Sequence, residues 1–121
     1  MKIKKFYEPL FKVQVLCITD CGSDELKVYL KKKKINIKDF DCMDGFTAHL
    51  EELQEKDIDG GYSTYHVLWI KDKKQFYSLL HETIHLVWQV MEERGIKASD
   101  EIAAYCTEWW FKTLWSFINK K

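Results

Sequence analysis

The sequence predicts an α+β domain in which a small sheet is followed by two long helices. Two apolar runs rich in β-branched residues, Phe11 to Thr19 and Tyr65 to Lys71, indicate strands. Apolar residues then repeat at helical spacing from Gln75 to Arg94, and again from about Asp100 to Asn119. The 121 residues suit one domain over 1–121, with the long C-terminal helix packed on the helix before it.

The other elements are indicated by capping residues and turns. Ser23 is a suitable N-cap for a helix over Asp24 to Lys33, which has acidic residues first and lysines last. The strand at Tyr65 to Lys71 is apolar at nearly every position, so we expect both of its faces to be covered. Gly95 is expected to end the Gln75 helix. Three further features are expected in the middle of the chain: a strand at Ile35 to Ile37, a short helix at Phe46 to Lys56 and a turn at Gly60-Gly61.

The charge balance argues against whole classes of partner. The chain carries 19 basic and 19 acidic residues, so no net field attracts nucleic acid or an anionic membrane. The lysine run at 31–34 is short and reads as a solvated face. No apolar segment follows the basic N-terminus as in a signal peptide, and none approaches the length of a membrane span. We therefore expect a cytoplasmic location, in a bacterium or a phage-infected host.

The four cysteines show no metal-binding or disulfide pattern. No C-x-x-C pair occurs among Cys17, Cys21, Cys42 and Cys106. In a reducing compartment, the expectation is four free thiols.

The residues His81-Glu82-Thr83-Ile84-His85 form an H-E-x-x-H motif within the predicted Gln75 helix. Histidines at i and i+4 lie one above the other, so both imidazoles can reach one zinc ion. Zinc in a catalytic site takes three protein ligands and leaves one position open. The glutamate beside the first histidine is placed to take a proton from a water that the metal activates. The motif therefore predicts a Zn²⁺ site with Glu82 as its general base.

The placement of the histidines on the helix favours this interpretation over two histidines with ordinary hydrogen bonds. At 100° per residue, the two histidines lie on a flank beside Tyr77 and Trp88, away from the apolar stripe. That stripe is expected to contain eight residues: Phe76, Leu79, Leu80, Thr83, Ile84, Val87, Val90 and Met91.

A third ligand must come from another element, and the C-terminal helix carries the candidates. Its one narrow polar strip consists of Glu101, Tyr105, Glu108 and Lys112. In a straight antiparallel hairpin of helices, equal rise per residue places Glu108 level with His85. Tyr105 can donate a hydrogen bond to the oxyanion of a tetrahedral intermediate, although a packed tyrosine with a bonded hydroxyl is the commoner arrangement.

The motif and the sequence after it resemble the small metallopeptidase-like proteins that bacteriophages and prophages encode. The resemblance rests on the H-E-T-I-H motif, on Glu93-Arg94-Gly95-Ile96 and on Glu101-x-x-Ala104-Tyr105, and it covers roughly Tyr65 to Trp115. It implies a zincin-like sheet beside the active-site helix. The E-x-x-A pattern is similar to that of gluzincin-type metallopeptidases, in which this glutamate binds zinc and the small residue allows close packing of the two helices.

The resemblance therefore implies Glu101 as the third ligand, with His81, His85 and Glu82 in the roles given above. Glu108 departs from the small or apolar residue expected at its position. Crossed packing of the two helices reconciles Glu101 with the geometry, so both carboxylates stay open and Glu101 is preferred.

Two functions follow from these observations. The first is a zinc-dependent peptidase that acts on a peptide or protein. The second is a zinc-stapled or inactive zincin that works as a protein-binding module. If the Tyr65 strand is an edge, an extended peptide can pair with it, and His66 on that strand is a minor candidate as a fourth ligand. The Trp-rich C-terminal helix has apolar residues on most sides, which predicts a homodimer interface there if the domain does not cover it.

Overall fold

The computed structural model of the chain describes residues 1–35, 45–49, 55–56, 62–95 and 100–120. These residues form an α+β fold with a long C-terminal helix, as predicted. Its elements follow in the order β1 (Lys2–Glu8), β2 (Val13–Thr19), α1 (Ser23–Lys32), β3 (Gly45–His49), β4 (Glu55–Lys56), β5 (Tyr62–Ile70), α2 (Phe76–Glu93) and α3 (Asp100–Asn119).

The strands form a mixed sheet in the order β1-β2-β5-β3, and β4 pairs with the start of β5. Strands β1 and β2 are antiparallel, β2 and β5 are parallel, and β3 is antiparallel to β5. Strand β5 is therefore interior over the residues that pair on both sides. The expectation of peptide pairing at a free edge of this strand is wrong for those residues. Among the described strands, β3 lies at that end of the sheet.

Both faces of the central strands are covered, as the apolar character of β5 predicts. Helix α1 covers one face, where Leu26 and Leu30 pack with Ile18 and Trp69. Helices α2 and α3 cover the other face, where their apolar residues surround Leu68 and other side chains of β2 and β5. The sheet is thus the middle layer, and α2 is fixed over β5 and β3.

The ends of the helices agree with the capping signals in part. Gly95 has φ +63°, the left-handed conformation that favours glycine after a helix, and α2 ends just before it. Helix α1 has Gly22 rather than Ser23 at its N-cap, and no side chain caps it. Ser23 is instead the first helical residue.

The middle of the chain was predicted least well. The short helix expected over Phe46 to Lys56 is wrong, because the structure has strand β3 at Gly45–His49 and strand β4 at Glu55–Lys56. Pairing with β5 outweighs the local helix preference there. A strand was expected at Ile35 to Ile37, and Ile35 does not lie in a strand. The other two residues of that strand, and the turn expected at Gly60-Gly61, lie outside the described residues. Strand β1 was not predicted.

Across the described part of the chain, no helix combines the length and the apolar character needed to cross a membrane.

Candidate metal centre

The two histidines of the motif lie together on the solvent-exposed flank of α2. Both side chains are exposed, and the Nε2 atoms of His81 and His85 are 3.0 Å apart. The two rings are nearly perpendicular, with centroids 4.5 Å apart and planes at 77°. The helical i, i+4 spacing places the two side chains on neighbouring turns, and their rings turn so that the two nitrogens are within hydrogen-bond distance of each other.

This separation fits two ligands of one zinc ion. Two nitrogens that are each about 2.0–2.1 Å from a tetrahedral zinc are about 3.3 Å apart. The observed 3.0 Å is close to that value without any change of backbone. The chemistry of the pair also suits zinc, because neutral imidazole is one of its commonest ligands.

Glu82 projects to a different side of the helix from His81 and His85. Its side chain is only 8% exposed, and its Oε1 atom lies 3.0 Å from the hydroxyl of Thr47 on strand β3. The same hydroxyl is 3.0 Å from the backbone oxygen of Glu82, so its proton is shared between two acceptors of one residue. Strand β3 thus fixes the orientation of the carboxylate.

Gly45 permits the close approach of β3 and α2. A Cβ atom at this position would lie 2.8 Å from both the backbone oxygen of Trp69 and Cδ1 of Ile70, and 3.5 Å from Cγ of Glu82. A side chain there would clash with the strand beside it and would meet the glutamate side chain at an ordinary contact distance. The absence of a side chain therefore helps to bring Thr47 within reach of Glu82.

A chain of polar contacts continues from Thr47 beneath the helix. The backbone oxygen of Thr47 accepts a hydrogen bond of 3.4 Å from Gln89, whose Oε1 is 3.1 Å from Nδ1 of His66. Nε2 of His66 lies 3.3 Å from Oε1 of Glu93. His66 is fully buried. It therefore faces α2 from within the protein as part of this chain of contacts.

The candidates for a third ligand lie on α3. Glu101 and Glu108 are both exposed. Glu108 binds Lys112 one turn later, at 2.8 Å, and this hydrogen bond and charge hold the pKa of the Glu108 carboxyl below its ordinary value. Within the described residues, no three His, Cys, Asp or Glu side chains are grouped to hold one metal ion. The structure thus brings together the two histidines, and neither Glu101 nor Glu108 completes a set of three with them.

Tyr105 borders a different part of the molecule. Its side chain is 61% exposed and lines a cavity together with Glu8 and Phe11, which belong to β1 and the turn after it. Its role as an oxyanion donor stays a prediction.

The apolar stripe of α2 is displaced from the one expected. The prediction for Leu79, Thr83, Val87, Val90 and Met91 is confirmed, because all five are buried. Phe76 and Ile84, which were expected in the stripe, are 40% and 41% exposed, and Leu86 is buried in their place. This displacement of the buried stripe around α2 also places Glu82 among the buried residues. The histidines lie away from the buried stripe, as expected, but their flank is exposed, along with Tyr77 at 84% and Trp88 at 57%, and is not covered by α3 as the choice of a third ligand from that helix assumes.

Thr47, Gln89 and the contact between His66 and Glu93 were not among the residues predicted from the sequence. Two signals were available. His66 interrupts an apolar strand, and Glu82, Gln89 and Glu93 recur at helical spacing on one side of α2. A buried polar group requires partners, so these residues had reason to be considered together. Thr47 gave no such signal, since its contact depends on the position of β3.

Comparisons with known proteins give no significant match. No family model matches the sequence. Neither a curated protein nor a solved structure shows significant similarity to the chain.

Proposed function

We propose that the protein is a zinc-dependent peptidase whose metal is held by His81 and His85, with Glu101 as the preferred third ligand, although the described residues do not group Glu101 with the pair. The observation that carries the proposal is the arrangement of the motif. Two exposed imidazole nitrogens lie 3.0 Å apart, and the buried carboxylate of the intervening glutamate is held by a neighbouring strand. Two unrelated surface histidines have no need for such a glutamate.

When bound, zinc supplies Lewis-acid polarisation of the substrate carbonyl and lowers the pKa of a water molecule. Glu82 takes the proton from the attacking water and passes it to the leaving amine. Because Thr47 engages Oε1, the transfer falls to Oε2.

The substrate is an extended peptide segment. Strand β3 has β5 on one side and, among the described strands, no neighbour on the other. A peptide that pairs with this side of β3 satisfies its main-chain hydrogen bonds there. Thr47 on the same strand places Glu82 next to such a peptide.

The experiment compares three proteins by zinc content and by cleavage of a mixed peptide library read by mass spectrometry. Glu82→Gln is expected to retain zinc and to lose hydrolysis, whereas Glu92→Gln, an exposed change on the same helix, keeps both. Hydrolysis by Glu82→Gln at the wild-type rate contradicts the assignment of the base. A wild-type protein that holds one zinc and cleaves no peptide contradicts the peptidase.

A zinc-binding module without catalysis is the second candidate. It is favoured by the exposed aromatic residues beside the histidines, Tyr77 and Trp88, which suit contact with another protein. X-ray absorption at the zinc edge separates the two candidates. The peptidase has a water at the fourth position, and the module has a fourth ligand from protein.

A further inference from the structure

We propose that a second site, the cavity between the β1–β2 turn and α3, binds a quaternary ammonium group. The cavity is lined by Glu8, Leu10 and Phe11 on one side and by Tyr105, Cys106, Trp109 and Trp110 on the other. No residue of α2 lines it, so it is separate from the histidine pair, and the proposal does not rest on the peptidase function.

Aromatic rings form most of the walls. The indoles of Trp109 and Trp110 make an edge-to-face contact, with planes at 84° and centroids 4.8 Å apart, and both residues line the cavity. Phe11 and Tyr105 add two further rings. The negative face of an aromatic ring attracts a cation, and several rings around one space are the arrangement by which proteins recognise alkylated ammonium groups.

A carboxylate in the same wall supplies the opposite charge. The two oxygens of Glu8 accept hydrogen bonds from the backbone N–H groups of Leu10, at 2.6 Å, and Phe11, at 2.8 Å. These bonds hold the carboxylate in one orientation. Each oxygen has further lone pairs, so the two bonds leave the charge of Glu8 available to a ligand.

The thiol of Cys106 adds no competing charge. Burial, and after it the negative charge of Glu8, raise the pKa of this cysteine, so the thiol stays neutral near pH 7.

The size of the cavity suits a compact cation. Its volume is about 80 Å³, several times the roughly 10–15 Å³ that one water needs by the same measure. Leu10 and Tyr105 at its rim are 70% and 61% exposed, so the cavity opens to solvent and a ligand can enter. A trimethylammonium group presents methyl groups to the rings and spreads its charge over them. A bare ammonium is more strongly hydrated and gains less on entry.

The test titrates the protein with choline and with 3,3-dimethyl-1-butanol, which has nearly the same shape without the charge. The indole N–H signals of Trp109 and Trp110 in an NMR spectrum report on occupancy. Choline is expected to move them with a dissociation constant on the order of 1 mM. The neutral alcohol is expected to bind at least about threefold more weakly. Equal affinity of the protein for choline and for the neutral alcohol overturns the proposal.

Variants assign the preference to individual groups. Glu8→Gln retains an acceptor for a backbone N–H and removes the charge, so the ratio of choline to alcohol affinity should fall at least about twofold. Glu25→Gln, the same change on an exposed position of α1, should leave the ratio unaltered. Trp109→Leu should lower the ratio and Trp109→Phe should keep it above one. The ratio is measured within each folded variant, so a general loss of stability does not mimic the result. A ratio unaffected by Glu8→Gln and by Trp109→Leu overturns the assignment.

The same group can come from a free amine or from a trimethylated lysine of a protein. Choline and a short peptide with trimethyl-lysine are therefore titrated in parallel. Tighter binding by the peptide assigns the site to a protein side chain, and tighter binding by choline assigns it to a free amine. Failure of both overturns the proposal and leaves the zinc site untouched.

Discussion

Thr47 on strand β3 holds Glu82 on helix α2, with its hydroxyl 3.0 Å from both the backbone oxygen and the carboxylate of that residue. The motif places Glu82 next to a histidine in sequence, and Thr47 determines where its carboxylate points. The proposed chemistry therefore depends on the sheet as well as on the helix.

Thr47→Val should reduce peptide hydrolysis about tenfold, because Glu82 loses the hydroxyl that orients its carboxylate. Zinc content should be unchanged, because His81 and His85 are not altered. Valine suits a strand, so the fold should persist. Thr47→Ser, which retains the hydroxyl, is the matched control and should keep most of the activity. Full activity in Thr47→Val contradicts the positioning role.

Zinc should stabilise the protein against heat. At a free zinc concentration of 100 times the dissociation constant, the gain is about 2.7 kcal/mol, or roughly 10 °C in melting temperature for a chain of this size. Differential scanning calorimetry with zinc and with a chelator measures the shift. It should vanish in His85→Ala and persist in Glu92→Ala. If zinc raises the melting temperature of His85→Ala by the same amount, the zinc binds at another site and the assignment of the histidine pair is contradicted.

Gly45→Ala should destabilise the fold by about 1–3 kcal/mol. The added methyl group meets the backbone oxygen of Trp69 at 2.8 Å, and the backbone has little freedom to move. Gly22→Ala is the comparison, because a Cβ there has nothing within 4 Å and its cost should stay below about 1 kcal/mol. Urea denaturation measures both. Equal stability of the two variants contradicts the close approach of β3.

Cys17 should resist alkylation in the native protein. Burial raises the pKa of its thiol from 9.0 to about 12, with a smaller opposing effect from Lys2, so little thiolate exists at pH 8. The ionised thiol is disfavoured in the folded state. The stabilisation of the folded state by the neutral Cys17 thiol is therefore complete below pH 9, and it is lost as the pH rises towards about 12.

Iodoacetamide labelling read by mass spectrometry checks this prediction. Cys21 and Cys106, whose pKa values are also raised by burial, provide internal comparisons. In native buffer, Cys17 should react more slowly than Cys21 and Cys106. In urea, all three cysteines should react at the same rate. Rapid native labelling of Cys17 shows that the strand opens readily.

Patterns local to one segment were sufficient to predict much of the fold. The apolar run of β5, the repeat of α2 and the glycine after it each act within a few residues. The formation of strand β1 does not follow from a local pattern of this kind. Its sequence, KIKKFYE, shows no regular alternation of polar and apolar residues, and its strand conformation comes from antiparallel pairing with β2, the next element along the chain. Strand β3, which local preference assigned to a helix, likewise depends on pairing, in its case with β5.

The candidate site divides in the same way. The spacing of His81 and His85 follows from one helix, so the sequence alone predicts that they meet. The hydrogen bond between Thr47 and Glu82 joins residues 35 positions apart and requires the packing of β3 on α2. The proposed third ligand on α3 depends on the crossing of two helices, and their relative angle is not encoded by a local repeat.

Zinc content is the most direct test of the central claim. The protein is purified without added metal, dialysed against a zinc buffer and analysed by mass spectrometry under native conditions. The wild type should carry one zinc per chain, and both His81→Ala and His85→Ala should carry none. A wild-type chain that takes up no zinc, or single variants that retain it in full, would contradict the assignment of the histidine pair.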